Sequence, residues 1–393
     1  MAVEHAPPRD AFALSDDERT VRDTVRDWAQ REVAPGAAQR DEEERYDRSL
    51  FERAGELGLT GLPYPEELGG AGMGTFAWVL AIEEIAAADM GMAVSLSVHI
   101  LSQLCIFANG TDEQKQRFLP PMTAGRELGA FALTEPESGS DAASLSLAAR
   151  RDGDDYLLTG TKIWITNAGD AARYVVFATV DRSRGKSGIT AFVVEADTPG
   201  FRLGSKERKM GIRGTSAYEL IFEDARVPAP NRLGEEGEGL KVALSALGAG
   251  RIGIAGACTG LARSALELAT RYALDRRQFG RPIADQQMVQ GMLAEMAVGV
   301  DAARLLTWRA ARMRDAGQPI NAPSSMAKWY ASDVAMRVTT DAVQIYGGVG
   351  YSRDNPVERL MRDAKGAQIY EGTNQIHRLI VAQQLLDTMR RDA

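Results

Sequence analysis

The 393-residue chain is poor in the side chains that most often bind metals or cross-link small folds. Its two cysteines, Cys105 and Cys258, sit in apolar, helix-like surroundings without C-x-x-C spacing. That pattern excludes a disulfide framework or a thiolate metal site and points to buried, reduced thiols. The three histidines, His5, His99 and His377, are not joined by an H-E-x-x-H spacing, so no metal site is expected. Positive charge is also scarce: the formal net charge is −8, which leaves no general field for phosphate backbones, and nucleic acid is not an expected partner. No run reaches the roughly 18 uncharged apolar residues of a membrane span. The N-terminal stretch has no apolar run behind a basic start and is too acidic for a mitochondrial presequence, so a cytoplasmic protein is expected. What remains is ordinary globular composition, 45% hydrophobic and 25% charged, in a chain long enough for two or three domains.

The texture changes twice along the chain. From Ser15 to about Gly125 the pattern is helical, opening with a Ser15 cap, an acidic first turn and Val21, Val25 and Trp28 at helical spacing. A Pro- and Gly-rich loop interrupts it from Leu62 to Gly72. Beyond Gly129, short runs rich in β-branched and aromatic residues alternate with turn signals: Tyr156 to Leu158, Lys162 to Thr166, Tyr174 to Val180, Ile189 to Glu195 and Tyr218 to Phe222. These predict a small antiparallel sheet. After Gly239 the helical period returns, with Met288, Met292, Met296, Val300, Ala303 and Leu306 on one face of a long helix. The expected fold is α+β and mainly α: an N-terminal helical domain (1–128), a middle antiparallel β-sheet domain (129–238) and a C-terminal helical bundle (239–393). A G-x-G-x-x-G string, Gly248 to Gly253, follows a helical stretch rather than a strand, so its glycines point to close packing or to room for a ligand and not to a dinucleotide.

Several ordered motifs carry the chemistry. Phe131-Ala132-Leu133-Thr134-Glu135-Pro136-Glu137-Ser138-Gly139-Ser140-Asp141, followed by Lys162-Ile163-Trp164-Ile165-Thr166-Asn167, resembles the two flavin-binding segments of the acyl-CoA dehydrogenase family. Arg276 to Gly280, Gln344 to Gly350, and Met361 to Lys365 with Ile369 to Ile376 are similar to further motifs of that family, so the resemblance covers nearly the whole chain. It implies FAD as cofactor. Thr134, Ser140 and Thr166 would donate around the ring edge and phosphates, Trp164 would form an aromatic wall, and Phe131, Leu133, Gly139 and Ile165 would complete that cradle. Arg276, Phe279, Gln344, Gly347 and Gly348 would reach the FAD of a neighbouring subunit, implying a homo-oligomer, a tetramer of paired dimers. Gln286, Gln287, Thr373 and Gln375 are implied as further cofactor contacts.

The resemblance also implies the reaction, α,β-dehydrogenation of a saturated acyl thioester to the trans-2-enoyl thioester. Glu371, in Tyr-Glu-Gly-Thr, matches the family's catalytic base, with its backbone N–H helping to polarise the thioester carbonyl. Ser140, Arg251, Tyr370 and Gly372 are the implied substrate contacts. Some relatives carry the base immediately before the arginine corresponding to Arg251. That position is Gly250 here, which favours Glu371 and a short or branched acyl chain. Gly248 stands where many relatives have an aspartate against CoA, so an acyl group on a carrier protein is an alternative to acyl-CoA. A flavin oxidase or monooxygenase and a flavin-free interaction protein are rival readings. Electrons would pass to an electron-transfer flavoprotein. Residues from Val94 to Ile100 and Tyr370 are expected at the floor of the acyl pocket, and His377 is read as structural.

Overall fold

The computed structural model describes residues 13–392, so His5 and most of the N-terminal stretch lie outside the described residues. Six helices lead: α1 (Asp16–Trp28), α2 (Ala37–Glu42), α3 (Arg48–Glu56), α4 (Gly74–Ala88), α5 (Met90–Asn109) and α6 (Asp112–Thr123). The expected start of α1 is a reciprocal capping box. Ser15 Oγ accepts the Glu18 N–H at 3.2 Å while the Glu18 carboxylate accepts the Ser15 N–H at 2.9 Å.

An eight-stranded sheet follows: β1 (Gly129–Ala132), β2 (Ala148–Asp152), β3 (Asp155–Thr166), β4 (Arg173–Thr179), β5 (Ile189–Glu195), β6 (Phe201–Lys206), β7 (Ala217–Pro228) and β8 (Arg232–Leu233). The order is β6-β7-β3-β2-β4-β5-β8, with β1 also on β4. Most pairs are antiparallel as expected, but β1 runs parallel to β4, because the chain enters from α6 along β4 rather than through a hairpin. The two runs expected around Tyr156 and Lys162 are one strand, β3. It continues through Gly160 at φ +140° and shifts register against β7 between Leu158 and Gly160 and again between Lys162 and Ile165.

The last third holds α7 (Gly239–Asp275), a hairpin of β9 (Arg277–Gln278) and β10 (Arg281–Pro282), then α8 (Gln287–Asp315), α9 (Asn321–Tyr346), α10 (Pro356–Ala367) and α11 (Asn374–Asp392). The periodic face of α8 buries Met296, Val300 and Ala303, but its first member, Met288, is exposed. α5 and α7 are long and apolar enough in composition to cross a membrane, yet both are largely buried within the protein. Both cysteines are free and buried.

One apolar cluster unites the first and last helical blocks, running from Val25 and Trp28 through α4, α5 and α7 to Ala367. α4 lies at its centre, with 13 of its 15 residues buried. Its two acids are neutralised there: Glu83 pairs with Arg304 at 2.8 Å and Glu84 with Arg263 at 2.7 Å and Arg26 at 2.8 Å. α7 approaches α4 through glycines. A Cβ on Gly256 would lie 2.9 Å from the Ile82 side chain, and one on Gly260 would lie 2.0 Å from the Glu83 carbonyl oxygen. The G-x-G-x-x-G string is inside this helix and follows no strand; Gly253 packs close to Trp78, while Gly250 leaves room for the Glu371 side chain.

Candidate active site

α10 ends at Ala367, and the turn that carries the chain into α11 holds Tyr370, Glu371, Gly372 and Thr373. Two consecutive residues of this turn are left-handed, Glu371 at φ +53° and Gly372 at φ +95°. A non-glycine residue in that region is strained, by about 1–3 kcal/mol, and persists only where its surroundings hold it. Here they do. The Tyr370 N–H bonds the Gly366 carbonyl at 3.1 Å, the Asn374 N–H bonds the Gln368 carbonyl at 3.1 Å, and Lys328 Nζ from α9 donates to the Gly372 carbonyl at 2.7 Å.

The turn aims the Glu371 carboxylate at α7. A Cβ on Gly250 would lie 2.7 Å from Glu371 Oε2 and 3.1 Å from Leu101 Cδ1. A base placed at position 250 would therefore occupy the space that the Glu371 carboxylate fills. Both carboxylate oxygens are buried and unpartnered among the described residues. Burial pushes the carboxyl up to about 7, and the cations of Lys328 and Arg251 restrain that rise. The Glu371 N–H makes no backbone hydrogen bond among the described residues and is free to bond a carbonyl. His377 packs under the turn, its Nε2 3.2 Å from where a Gly372 Cβ would stand, and burial holds it neutral with its pKa lowered to about 3.

Beside Gly250 opens a cavity of about 160 Å³ whose walls include Tyr64, Trp78, Ile100, Leu101 and Phe107. The expected pocket residues are only partly there. Ser97 and Ile100 line it, whereas Val94 is packed in the helical core and Tyr370 sits against Gly366. The wall from α5 continues one turn beyond the expected range, through Leu101 and Leu104.

The two segments from the sheet domain form a platform. Lys162 and Glu135 are both buried and paired at 2.7 Å. Lys162 also donates to the Leu133 carbonyl at 2.9 Å, and Glu135 accepts the Ser146 and Leu147 N–H groups at 2.6 and 3.0 Å, so the 133–147 segment is tied beneath β3. Burial pushes the Glu135 carboxyl up, but the Lys162 cation and these donors hold it below the ordinary carboxylate range. The register shift after Lys162 turns Trp164 outward at φ +61° and leaves it 54% exposed. Thr134 and Thr166 are half-buried and Gly139 and Ser140 exposed, while the side chains of Leu133 and Ile165 are buried in apolar clusters. Leu133 shares its cluster with Leu101, which adjoins Gly250 and so joins this platform to the Glu371 site. Phe131 packs on Phe177 at a tilt of 56°, 5.1 Å between centroids. An outward indole with hydroxyls around it suits a flat, polar-edged ring, and the donor set fits FAD.

A second group lies elsewhere on the chain. Arg276, Phe279 and Gln287 are exposed, Phe279 at 94% with φ +52°, on the β9–β10 hairpin and the start of α8. Gln344, Gly347 and Gly348 are exposed at the end of α9. Stacking of Tyr272 on Tyr346 at 4.1 Å joins the two ends. None of these residues lines the cavity beside Glu371. Gln286 is half-buried and accepts from Arg281 at 3.0 Å, Gln375 is exposed, and Thr373 Oγ1 accepts the Ile376 N–H at 3.4 Å. Arg251 is buried on α7, with Nη1 3.4 Å from Ser325 Oγ and its Nε without a partner.

Sequence reasoning missed Lys328, Trp78 and the Lys162–Glu135 pair. The available signal for Lys328 was a lone lysine among small residues, Ser324 to Ala335, on a helix face that otherwise reads as core.

Models of the N-terminal, middle and C-terminal domains of acyl-CoA dehydrogenase match residues 15–126, 130–225 and 237–386. An acyl-CoA dehydrogenase of Bacillus subtilis (strain 168) is 48% identical over 93% of this chain and 97% of its own length. A mitochondrial short-chain specific acyl-CoA dehydrogenase of Bos taurus is 47% identical over 96% of this chain and 92% of its own. The structure of butyryl-CoA dehydrogenase from Megasphaera elsdenii superposes with a TM-score of 0.94 at 44% identity, covering 95% of this chain and 99% of that one.

Proposed function

Because the chain belongs to the acyl-CoA dehydrogenase family, a family of FAD-dependent oxidoreductases, we propose that it removes the α and β hydrogens of a short or branched saturated acyl-CoA to give the trans-2-enoyl thioester. The observation that carries the reading is the buried, unpartnered Glu371 carboxylate packed against Gly250, which lines the cavity between α5 and α7.

The acyl chain enters the cavity between α5 and α7, where Tyr64, Trp78 and Phe107 limit its length. Glu371 takes the α proton, and with its pKa raised to about 7 it is a stronger base than an exposed glutamate while still about half ionised at neutral pH. The Glu371 N–H bonds the thioester carbonyl and stabilises the negative charge that grows there. Bound FAD supplies the acceptor for the β hydrogen as hydride. Thr134, Ser140, Trp164 and Thr166 hold it from this subunit. Arg276, Phe279, Gln344, Gly347 and Gly348 serve the FAD of a neighbouring subunit, which makes the enzyme a homo-oligomer. Electrons leave to an electron-transfer flavoprotein.

The test is an anaerobic titration of the purified yellow enzyme with butyryl, isobutyryl, 2-methylbutyryl and hexanoyl thioesters. At least one bleaches the flavin, and Glu371→Gln retains FAD but loses reduction by ~100-fold or more. Near-normal reduction by that variant would identify another base. Gly248 supports a second reading, an acyl group tethered to a carrier protein. A Cβ there would meet only Ile320 Cδ1, at 3.9 Å, so packing does not impose the glycine. Bleaching by carrier-bound but not CoA-bound acyl groups would establish it.

A further inference from the structure

Lys328 is fully buried in the first third of α9, where Ser324, Ser325, Ala327, Ala331 and Ser332 are buried as well. A buried ammonium requires both hydrogen-bond acceptors and a countercharge. The acceptors are the Gly372 carbonyl at 2.7 Å and Asn374 Oδ1 at 3.2 Å, the two ends of the strained turn that presents Glu371. The other residues of the same helical face complete the support. Ser332 Oγ lies 2.9 Å from Asn374 Nδ2, and Asp333 Oδ1 accepts from Asn374 at 2.8 Å and Gln368 at 2.7 Å. No carboxylate lies within ion-pairing distance of Lys328 among the described residues. Asp333 faces it, but its charge is engaged by Arg378 at 3.2 Å. The acid left to balance Lys328 is Glu371.

We propose that Lys328 is a positioning residue for the dehydrogenation: it clamps the Glu371–Gly372 turn through the Gly372 carbonyl, and its ammonium is the countercharge that keeps the Glu371 carboxylate ionised as the base. This rests on the reading of Glu371 given above. The groups facing Glu371 are Lys328 from α9, Arg251 and Cys258 from α7, Tyr370 from its own turn and His377 from α11. Burial raises the thiol and the phenol and lowers the imidazole, so all three are neutral near pH 7. Two cations therefore oppose the desolvation of one carboxylate. Removing one of them favours the protonated, inactive form. Among the described residues Arg251 makes no hydrogen bond to the backbone of this turn, so of the two cations only Lys328 clamps it.

The experiment is the pH profile of the second-order rate of anaerobic flavin reduction by butyryl-CoA, which reports ionisations of the free holoenzyme. Lys328→Gln keeps a donor toward Gly372 and removes the charge. Its acid limb moves up by about one pH unit, an approximately tenfold lower rate at pH 6, while FAD content and the alkaline plateau stay near wild type. Lys328→Met removes donor and charge together; its limb moves likewise and its plateau also falls, as the turn loosens. Either variant, if only one folds, gives the reading. A profile that keeps the wild-type limb in both, whatever the uniform loss of rate, overturns the proposal and leaves Lys328 a packing residue. Glu371→Gln run beside them separates the two failures: if that variant still reduces flavin, the assignment of the base has failed, and if it does not, an unmoved limb counts against Lys328 only.

Discussion

Glu371 works against the stability of the fold that holds it. Its carboxyl titrates near 7 in the folded chain against 4.5 in the unfolded one, because burial disfavours the charged form. Between those values the folded state keeps a proton that the unfolded state releases, so this group's contribution to stability is greatest below pH 4.5 and declines as pH rises through 7. Glu371→Gln removes this dependence. The variant should be more stable than wild type at pH 8, by about 1–3 kcal/mol, and no more stable at pH 4.5. Calorimetry at the two pH values checks it; equal differences at both would mean that the carboxylate is solvated. The same residue marks what could be read without coordinates. Its motif, Tyr-Glu-Gly-Thr, pointed to a base, but its surroundings could not be inferred, since Arg251 and Lys328 reach it from helices 120 and 43 residues earlier in the chain. Local pattern carries no information on such pairings.

At the scale of elements, α7 shows how glycine sets distance. Gly250 leaves room for the Glu371 carboxylate, and Gly260 lets α7 lie against the backbone of α4. The two positions should respond differently to alanine. Gly250→Ala puts a methyl 2.7 Å from Glu371 Oε2, and flavin reduction should fall by ~10-fold or more with the melting temperature little changed. Gly260→Ala puts one 2.0 Å from the Glu83 carbonyl oxygen, where backbone must move, and should destabilise by roughly 1–3 kcal/mol, measured by thermal melting. If Gly250→Ala keeps full activity, the carboxylate does not rest where the structure puts it. Element types were legible where periodicity was strong, as in α1, α8 and β5. They were less so where a glycine or a register shift joined what reads as two runs, as in β3, and where strands as short as β8 carry too few residues for a pattern. The parallel pairing of β1 with β4 has no local signature, because direction depends on where α6 delivers the chain.

At the scale of the whole molecule, the outer surface carries large apolar side chains. Phe279 is 94% exposed, Tyr351 88% and Met288 81%, and Leu379, Leu385 and Met389 are exposed along α11. Such surface marks association. The purified protein should run well above its 42.5 kDa chain mass in light scattering, and Leu385→Glu with Met389→Glu should shift it toward smaller species. A monomer at micromolar concentration would remove the neighbouring-subunit role of Arg276 and Phe279. Inside, the shared core imposes an order on synthesis. α4 is predominantly apolar, and its partner α7 begins only at Gly239, 151 residues after α4 ends at Ala88. At a ribosomal pace of about 5–20 residues per second, that helix waits on the order of ten seconds with its sticky faces uncovered. Chaperone occupancy on the nascent chain should therefore peak after the first third has emerged and drop once α7 is out, so expression at low temperature or with added holdase should favour soluble yield.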